Sequence, residues 1–110
     1  MRRPWFFILL SLAAHDRHGS GIMRDVLELT AGELKLWPVT LYGSLDELVE
    51  EGFIKALDTP PSNADETSAR LRWFRVTAAG RRALATEVAR MNATIRTAEQ
   101  RLAAAQSRAK

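Results

Sequence analysis

Apolar side chains recur at every third or fourth position in several stretches of the chain, and this spacing predicts amphipathic helices. Residues 4–15 are apolar at nearly every position, so we expect a first helix that is buried over most of its circumference. A second helix is predicted over residues 20–31. A third is predicted over residues 38–51, because Pro38 suits the first position of a helix and Gly52 suits its C-cap.

The pattern changes after the third helix. Residues 53–59 are compatible with a short strand, and residues 70–77 are rich in aromatic and β-branched types that favour a second one. Residues 60–69 between them are polar turn formers, which predicts a flexible loop. Three helices followed by a hairpin are the order of a winged helix-turn-helix, so we assign residues 1–77 to such a domain, with its wing at 53–77. In this fold the third helix enters the major groove of DNA and the wing lies on the backbone or in the minor groove.

Residues 78–110 are predicted to form one long helix with an apolar seam at alternating steps of four and three. The seam consists of Leu84, Val88, Met91, Ile95, Ala98, Leu102 and Ala105. Such a helix extends roughly 45 Å, further than a small domain reaches, so its seam needs a partner. We expect a second copy of the chain there, with Trp5 of the first helix adding to the interface; the alternative is a helix that lies across its own domain. The predicted fold class is mainly α with a small β-hairpin (α+β), a winged helix-turn-helix with a long C-terminal dimerisation helix.

The exposed side of the third helix is divided by charge. Its first half presents uncharged residues, namely Thr40, Tyr42, Gly43 and Ser44, and its second half presents Asp46, Glu47, Glu50 and Glu51. Only the first half could lie against phosphates, which the positive end of the helix dipole also favours. We therefore predict that the four uncharged residues contact DNA, together with Lys55, Arg70 and Arg72 of the wing. Arg75 could instead pack on Trp73, and for the helix taken alone a solvated bundle helix is the alternative.

Charge is distributed unevenly along the 110 residues, although the formal net charge is only +3. Residues 70–110 contain ten Lys and Arg against two acidic residues, whereas the first 69 residues are net acidic. A basic C-terminal part favours a polyanionic partner for one surface, although solubility alone would also account for it. The chain has no cysteine, which excludes disulfides and thiolate metal sites and fits a reducing compartment.

The basic and apolar start of the chain also has the features of a signal peptide. Cleavage near Ala14 would, however, remove the most apolar segment and leave too little Leu, Ile and Val for a core. The apolar run is also too short to span a bilayer. We therefore expect a cytoplasmic protein with no membrane partner.

Candidate catalytic and metal-binding residues are few. His15 and His18 are three residues apart in a predicted loop over residues 15–19, but no other Cys or His completes a metal site, so we predict a turn or cap role. No nucleophile with an adjacent base, glycine-rich phosphate loop or separated pair of carboxylates is evident. We expect neither enzymatic activity, nor a cofactor, nor a metal.

Three motifs carry a family resemblance. The first is the apolar segment Ile8 to Leu12, followed by His18-Gly19 and Ile22-Met23. The second runs from Pro38 to Ile54 and includes Thr40-Leu41-Tyr42. The third is Arg72 to Thr77, followed by Gly80 to Leu84. Together they resemble the PadR family of winged-helix transcriptional regulators over residues 8–84. Gly43, Val39 and Trp73-Phe74 depart from the family pattern, which commonly has proline, glycine and a pair of tyrosines there.

The resemblance implies a homodimeric, sequence-specific regulator of transcription that binds a pseudo-palindromic site in double-stranded DNA, and we expect a repressor. Two other functions stay open. One is a winged-helix protein-interaction module without DNA binding, favoured by Asp65 and Glu66 in the wing loop. The other is a regulator that senses a small molecule at the dimer interface, with Trp5, Trp37 or Trp73 near the ligand, against the alternative that all three are core. Family members that bind flat aromatic compounds have a Trp on the last helix, which this chain lacks, so an effector is not indicated.

Overall fold

The computed structural model describes residues 1–109, which form four α-helices and one three-stranded antiparallel sheet. The elements are α1 (Arg3–Ala14), β1 (Arg17–His18), α2 (Gly19–Leu29), α3 (Pro38–Glu50), β2 (Ile54–Ala56), β3 (Trp73–Val76) and α4 (Ala78–Ala109). This confirms the predicted fold class, an α+β winged helix with a long last helix. The last residue of the predicted 78–110 helix, Lys110, lies outside the described residues.

The ends of the helices follow from local chemistry. Pro38 occupies the first turn of α3, and Gly52 just beyond its C-terminus has a φ of 78°, so both predictions are confirmed. The second helix ends at Leu29, two residues earlier than predicted. The reason is Thr30, whose hydroxyl donates to the Val26 carbonyl at 2.9 Å and accepts from the Leu34 N–H at 2.9 Å, turning the chain toward α3.

The sheet has the order β1-β3-β2, so the predicted two-stranded hairpin is incomplete. The segment predicted as a loop contains a two-residue strand in which Arg17 pairs with Phe74 and His18 with Trp73. A strand this short has no hydrophobic period of its own, and it forms because β3 presents an open edge to the end of α1. Residues 60–69 connect β2 to β3, and a 3-10 turn begins near their end, at Ser68.

Asp65 and Ser68 fold the wing loop by a reciprocal pair of hydrogen bonds. The Ser68 N–H donates to Asp65 Oδ1 at 2.7 Å, and the Asp65 N–H donates to Ser68 Oγ at 3.0 Å. The bond from the Ser68 N–H lowers the pKa of the Asp65 carboxyl below its ordinary value, because it stabilises the charged carboxylate. A 3-10 turn over Ser68–Arg70 follows, and its Ser68 carbonyl accepts from the Trp73 indole N–H at 2.7 Å. The Asp65 carboxylate therefore stabilises the fold of the wing loop.

The core surrounds α1, which packs against α2, α3, α4 and β3. Ile8, Leu9 and Leu12 on this helix are fully buried, which confirms the expectation of a helix covered over most of its circumference. Leucine, isoleucine, valine and Phe74 side chains from α2, α3 and the sheet complete the cluster. Among the helices of residues 1–109, none is long and apolar enough to cross a membrane.

The last helix begins in this core and then leaves it. Leu84 is 8% exposed and belongs to the core of its own domain, so its assignment to an intermolecular seam is wrong. The physical reason is that α4 starts directly after β3, which holds its first two turns against α1. From Val88 onward the helix projects away, and the molecule measures 63 × 27 × 25 Å as a result.

Gly80 lets the start of α4 pack closely against Phe53, the residue before β2. A Cβ at this position would lie 2.0 Å from the Phe53 carbonyl oxygen, so the helix and the strand entry would have to separate. We expect Gly80→Ala to lower the free energy of unfolding by about 2 kcal/mol or more. Gly43→Ala is the matched control, because nothing lies within 4 Å of its added Cβ and alanine favours a helix. Urea titrations should show a loss for Gly80→Ala alone; equal stability of both variants would contradict this packing.

Candidate nucleic-acid interface

The buried stripe of α3 consists of Leu41, Ser44, Leu45 and Leu48. Ser44 is only 6% exposed, so its assignment to the outward DNA-contacting surface is wrong. It lies three residues after Leu41 and four before Leu48, which places it on the same helical face as both leucines. Thr40, Tyr42 and Gly43 are exposed as predicted.

Two apolar residues that the sequence reasoning did not assign to this surface lie on it. Val39 is 89% exposed and Trp37 is 62% exposed, so the alternative of a core position is wrong for Trp37. The Lys35 ammonium lies 4.3 Å from the centroid of the Trp37 ring. The helical period, counted back from the buried Leu41, could have predicted that Val39 is exposed. Trp37 precedes the helix, so no helical period predicts its exposure.

Tyr42 has two roles in the geometry of this surface. Its ring covers the first residue of α2, because a Cβ on Gly19 would meet the phenol oxygen at 2.8 Å. The side chain is nevertheless 48% exposed. Tyr42 therefore joins α2 to α3 and still presents polar surface to solvent.

A shallow basic cleft lies on α2 and on the segment that leads into α3. It is lined by Ser20, Met23, Arg24, Leu27 and Lys35, which come from α2 and the segment that follows it. The Arg24 and Lys35 side chains are exposed. Sequence reasoning overlooked both cations because the N-terminal part of the chain is acidic in total, and only the fold separates these two from the acids.

The outer face of the sheet is held by an ion pair. Arg75 donates three hydrogen bonds to Asp16, from Nη2 to Oδ2 at 2.8 Å and from Nε to Oδ1 at 3.0 Å and Oδ2 at 3.3 Å. This contact lowers the pKa of the Asp16 carboxyl and replaces the packing of Arg75 on Trp73 that the sequence left open. Lys55 lies opposite Arg75 in the register of β2 and β3, and its side chain is exposed.

The other two predicted wing cations lie elsewhere. Arg72 has its guanidinium 5.1 Å from the ring centroid of Phe74 and 3.9 Å from the Asp46 carboxylate of α3. Arg70 ends the 3-10 turn and is exposed. Because side chains alternate along a strand, Arg72 lies on the α3 side of the sheet and Lys55 on the opposite side. The three predicted wing contacts thus do not form one continuous surface.

His18 caps α2, as predicted for a cap role. Its Nδ1 accepts from the Gly21 N–H at 3.1 Å, and its ring contacts Trp73 edge-to-face with centroids 4.9 Å apart. Trp5 is half-buried against Phe53, at a centroid distance of 6.3 Å. The indole rings of Trp5 and Trp73 therefore pack within the domain.

The Asp16–Arg75 pair makes stability depend on pH in a defined direction. Because the folded pKa of Asp16 is below its ordinary value of 3.8, the pair stabilises the fold above that pH and the contribution is lost as pH falls below it. We expect Asp16→Asn to cost up to about 1 kcal/mol at pH 7, since both partners are partly exposed. Thermal melts should show this difference shrinking toward pH 3; the exposed-loop variant Asp58→Asn is the control, and a pH-independent difference would contradict the assignment.

Comparison with known proteins places this geometry in a family. The family model described as "Transcriptional regulator PadR-like family" matches residues 8–86, well over half of the chain. A comparison with curated proteins gave no significant match.

Several solved structures share the fold. A PadR family transcription regulator from hypervirulent Clostridium difficile R20291 superposes with a TM-score of 0.76 at 20% identity, covering 92% of this chain and 99% of that one. A transcriptional regulator from Clostridium thermocellum has a TM-score of 0.72 at 22% identity, covering 88% and 87%. Bacillus subtilis PadR in complex with operator DNA has a TM-score of 0.64 at 23% identity, covering 80% of this chain and 48% of that one.

Proposed function

This chain belongs to the PadR-like family of transcriptional regulators, and from that premise we propose that it binds double-stranded DNA as a homodimer and represses transcription at a pseudo-palindromic operator. Residues 1–77 would bind DNA and the helix from residue 78 onward would join two copies. The structure of Bacillus subtilis PadR with operator DNA, which shares the fold, supports the first part of the proposal.

The observation that carries the proposal is the surface at the start of α3. Its first turns expose Thr40, Tyr42 and Gly43 without any charge. The Lys35 ammonium lies over the Trp37 ring just before the helix, and Lys35 lines a cleft together with Arg24. The acids are confined to the other end, where Glu47 accepts a hydrogen bond from Arg2 at 2.7 Å. A phosphate backbone could therefore approach the N-terminal turns and would be repelled from the C-terminal ones.

An exposed apolar stripe on α4 supports the homodimer. Val88, Met91, Ile95 and Leu102 are 40% to 68% exposed, although they continue the spacing that Leu84 begins in the core. A shallow groove lined by Glu87, Arg90, Met91, Thr94 and Ile95 runs along this side. An isolated helix would leave this area in water, whereas the same stripe of a second copy would cover it. Ala98 and Trp5 stay predicted members of the interface.

Selection of bound duplexes from a random pool tests the proposal directly. A symmetric dimer should enrich a two-fold symmetric sequence, with half-sites about one helical turn apart, or 34–36 Å. An enriched sequence without symmetry would contradict the homodimer, and the absence of binding at low salt would remove DNA binding altogether.

Tyr42→Phe separates the two roles of the tyrosine. The ring still covers Gly19, but the hydroxyl that could donate to a phosphate is gone. Loss of one hydrogen bond to a charged acceptor should weaken binding of the selected duplex about tenfold per protomer. Fluorescence anisotropy measures the affinity, and a melting curve checks that stability is unchanged. Binding equal to wild type would mean that Tyr42 acts in packing alone.

A protein-interaction module is the second candidate, because Trp37 and Val39 expose apolar surface at the same end of α3. Such surface suits a peptide partner as well as a base edge. This function would be favoured if the protein binds a peptide partner and no duplex is bound in the selection. A regulator that senses a small molecule at the dimer interface stays an open alternative.

A further inference from the structure

We propose that Val39 is a specificity-determining residue that reads the 5-methyl group of a thymine in the major groove, one per half-site. The inference deepens the proposed function and rests on it. It assigns a base preference to a surface that contains none of the side chains that usually read bases by paired hydrogen bonds.

Val39 lies at the centre of the outward face of α3. Successive residues of a helix are turned by about 100°, so Val39, two residues before Leu41, lies nearly opposite the buried stripe. Gly43 follows one turn later on the same face, and a Cβ there would have no neighbour within 4 Å. The backbone at Gly43 can therefore approach DNA closely, with the Val39 side chain placed in the major groove.

The chemistry of this face favours one kind of base contact for Val39. The sequence of α3 contains no Arg, Lys, Asn or Gln, so it has no bidentate partner for guanine or adenine. Val39 has two methyl groups, no hydrogen-bonding atom, and 89% of its surface exposed. On the major-groove edges of the four bases, the thymine methyl is the apolar feature that such a side chain complements.

Trp37 is not equivalent to Val39, although it is also exposed. Its ring is covered on one side by the Lys35 ammonium at 4.3 Å, and it precedes the first residue of the helix. This position, beside the basic cleft, suits a sugar or phosphate more than a base edge. Of these two exposed apolar residues, the methyl contact is therefore assigned to Val39.

Replacement of thymine by uracil tests the contact, because it removes the methyl group and nothing else. In the duplex enriched by the wild-type protein, one symmetric pair of thymines should be sensitive, with a loss of roughly fourfold per methyl and about 15-fold for the pair. Uracil at thymines outside the half-sites is the control. The wild-type series needs no variant, so it does not depend on folding of a mutant.

Val39→Ala identifies the residue responsible. Alanine lacks both γ-methyl groups that would pack on the thymine methyl, so the variant should bind the thymine and uracil duplexes with affinities within twofold of each other, at unchanged thermal stability. The inference is overturned if the wild-type protein binds the duplex but uracil at no thymine within a half-site weakens binding. It is also overturned if Val39→Ala loses as much affinity on uracil replacement as the wild type does. In both cases DNA binding itself stands. If no duplex is bound at low salt, the proposed function fails and this inference fails with it.

Discussion

A fourfold increase in salt, from 50 to 200 mM, should weaken duplex binding by roughly 10²- to 10⁵-fold. The expectation follows from counterion release, with a slope of roughly −4 to −8 in a plot of log affinity against log salt. Each protomer has exposed cations on or near the proposed DNA-binding surface, namely Arg24, Lys35, Lys55, Arg70 and Arg72. Because Lys55 and Arg72 lie on opposite sides of the sheet, we expect only part of this set to reach phosphates of one duplex. Anisotropy titrations at five or more salt concentrations measure the slope.

Single-charge variants show which cations contribute to that slope. Lys35→Gln removes one charge beside the start of α3 in each protomer, so the slope of the dimer should become less steep by about 2. Arg101→Gln removes the same charge from the exposed part of α4, and it should leave the slope unchanged. A wild-type affinity that does not depend on salt would contradict phosphate binding. Equal effects of the two variants would mean that the protein acts as a diffuse positive charge.

The charge count along the sequence located these cations poorly. Most of the basic residues after position 70 lie on α4, and Arg75 is held by Asp16 on the outer face of the sheet. Lys35, which lies over Trp37 at the start of α3, and Arg24, which lines the same cleft as Lys35, come from the part of the chain that is acidic in total. A sum over sequence cannot separate faces of a fold, because neighbours in sequence point in different directions.

Periodicity was sufficient for the four helices and for their order along the chain. Pro38 and Gly52 mark the ends of α3 by their own backbone restrictions, and no distant contact is needed to explain them. The strand Arg17–His18 could not be predicted in this way, since its partner lies more than fifty residues further along the chain. The two predicted wing strands are longer than β2 and β3. The reason is related, because hydrogen-bonded pairing with a neighbouring strand decides where a strand ends.

The errors at Ser44 and Leu84 have a common physical origin. Residue type suggested an exposed polar position for Ser44, but the helical face that it shares with Leu41 and Leu48 decides its burial. Leu84 has the right spacing for the seam of α4, yet the domain itself covers the start of that helix. A seam found by spacing does not reveal where a core ends and an interface begins. The structure puts that transition between Leu84 and Val88.

Ile95→Asp should dissociate the homodimer, raising its dissociation constant by roughly 10³-fold or more. Ile95 lies in the middle of the exposed stripe and is 51% exposed in the single chain, so the variant protomer should fold normally. In the proposed dimer the same position would be buried against the partner, where each of two copies introduces an uncompensated carboxylate costing several kcal/mol. Sedimentation equilibrium measures the change, and thermal melts at low concentration confirm folding.

Ala93→Asp is the matched control for this variant. It introduces the same side chain into α4 two residues earlier, about 200° around the helix and so on the side away from the stripe. A dimer that survives Ala93→Asp but not Ile95→Asp would locate the interface on the stripe. Because two half-sites are bound together only by a dimer, Ile95→Asp should also lose affinity for the symmetric duplex while leaving the α3 surface intact. If Ile95→Asp leaves the dimer unchanged, the stripe is not the interface. If the wild-type protein is monomeric, self-association is refuted, and the exposed stripe would then bind a different partner.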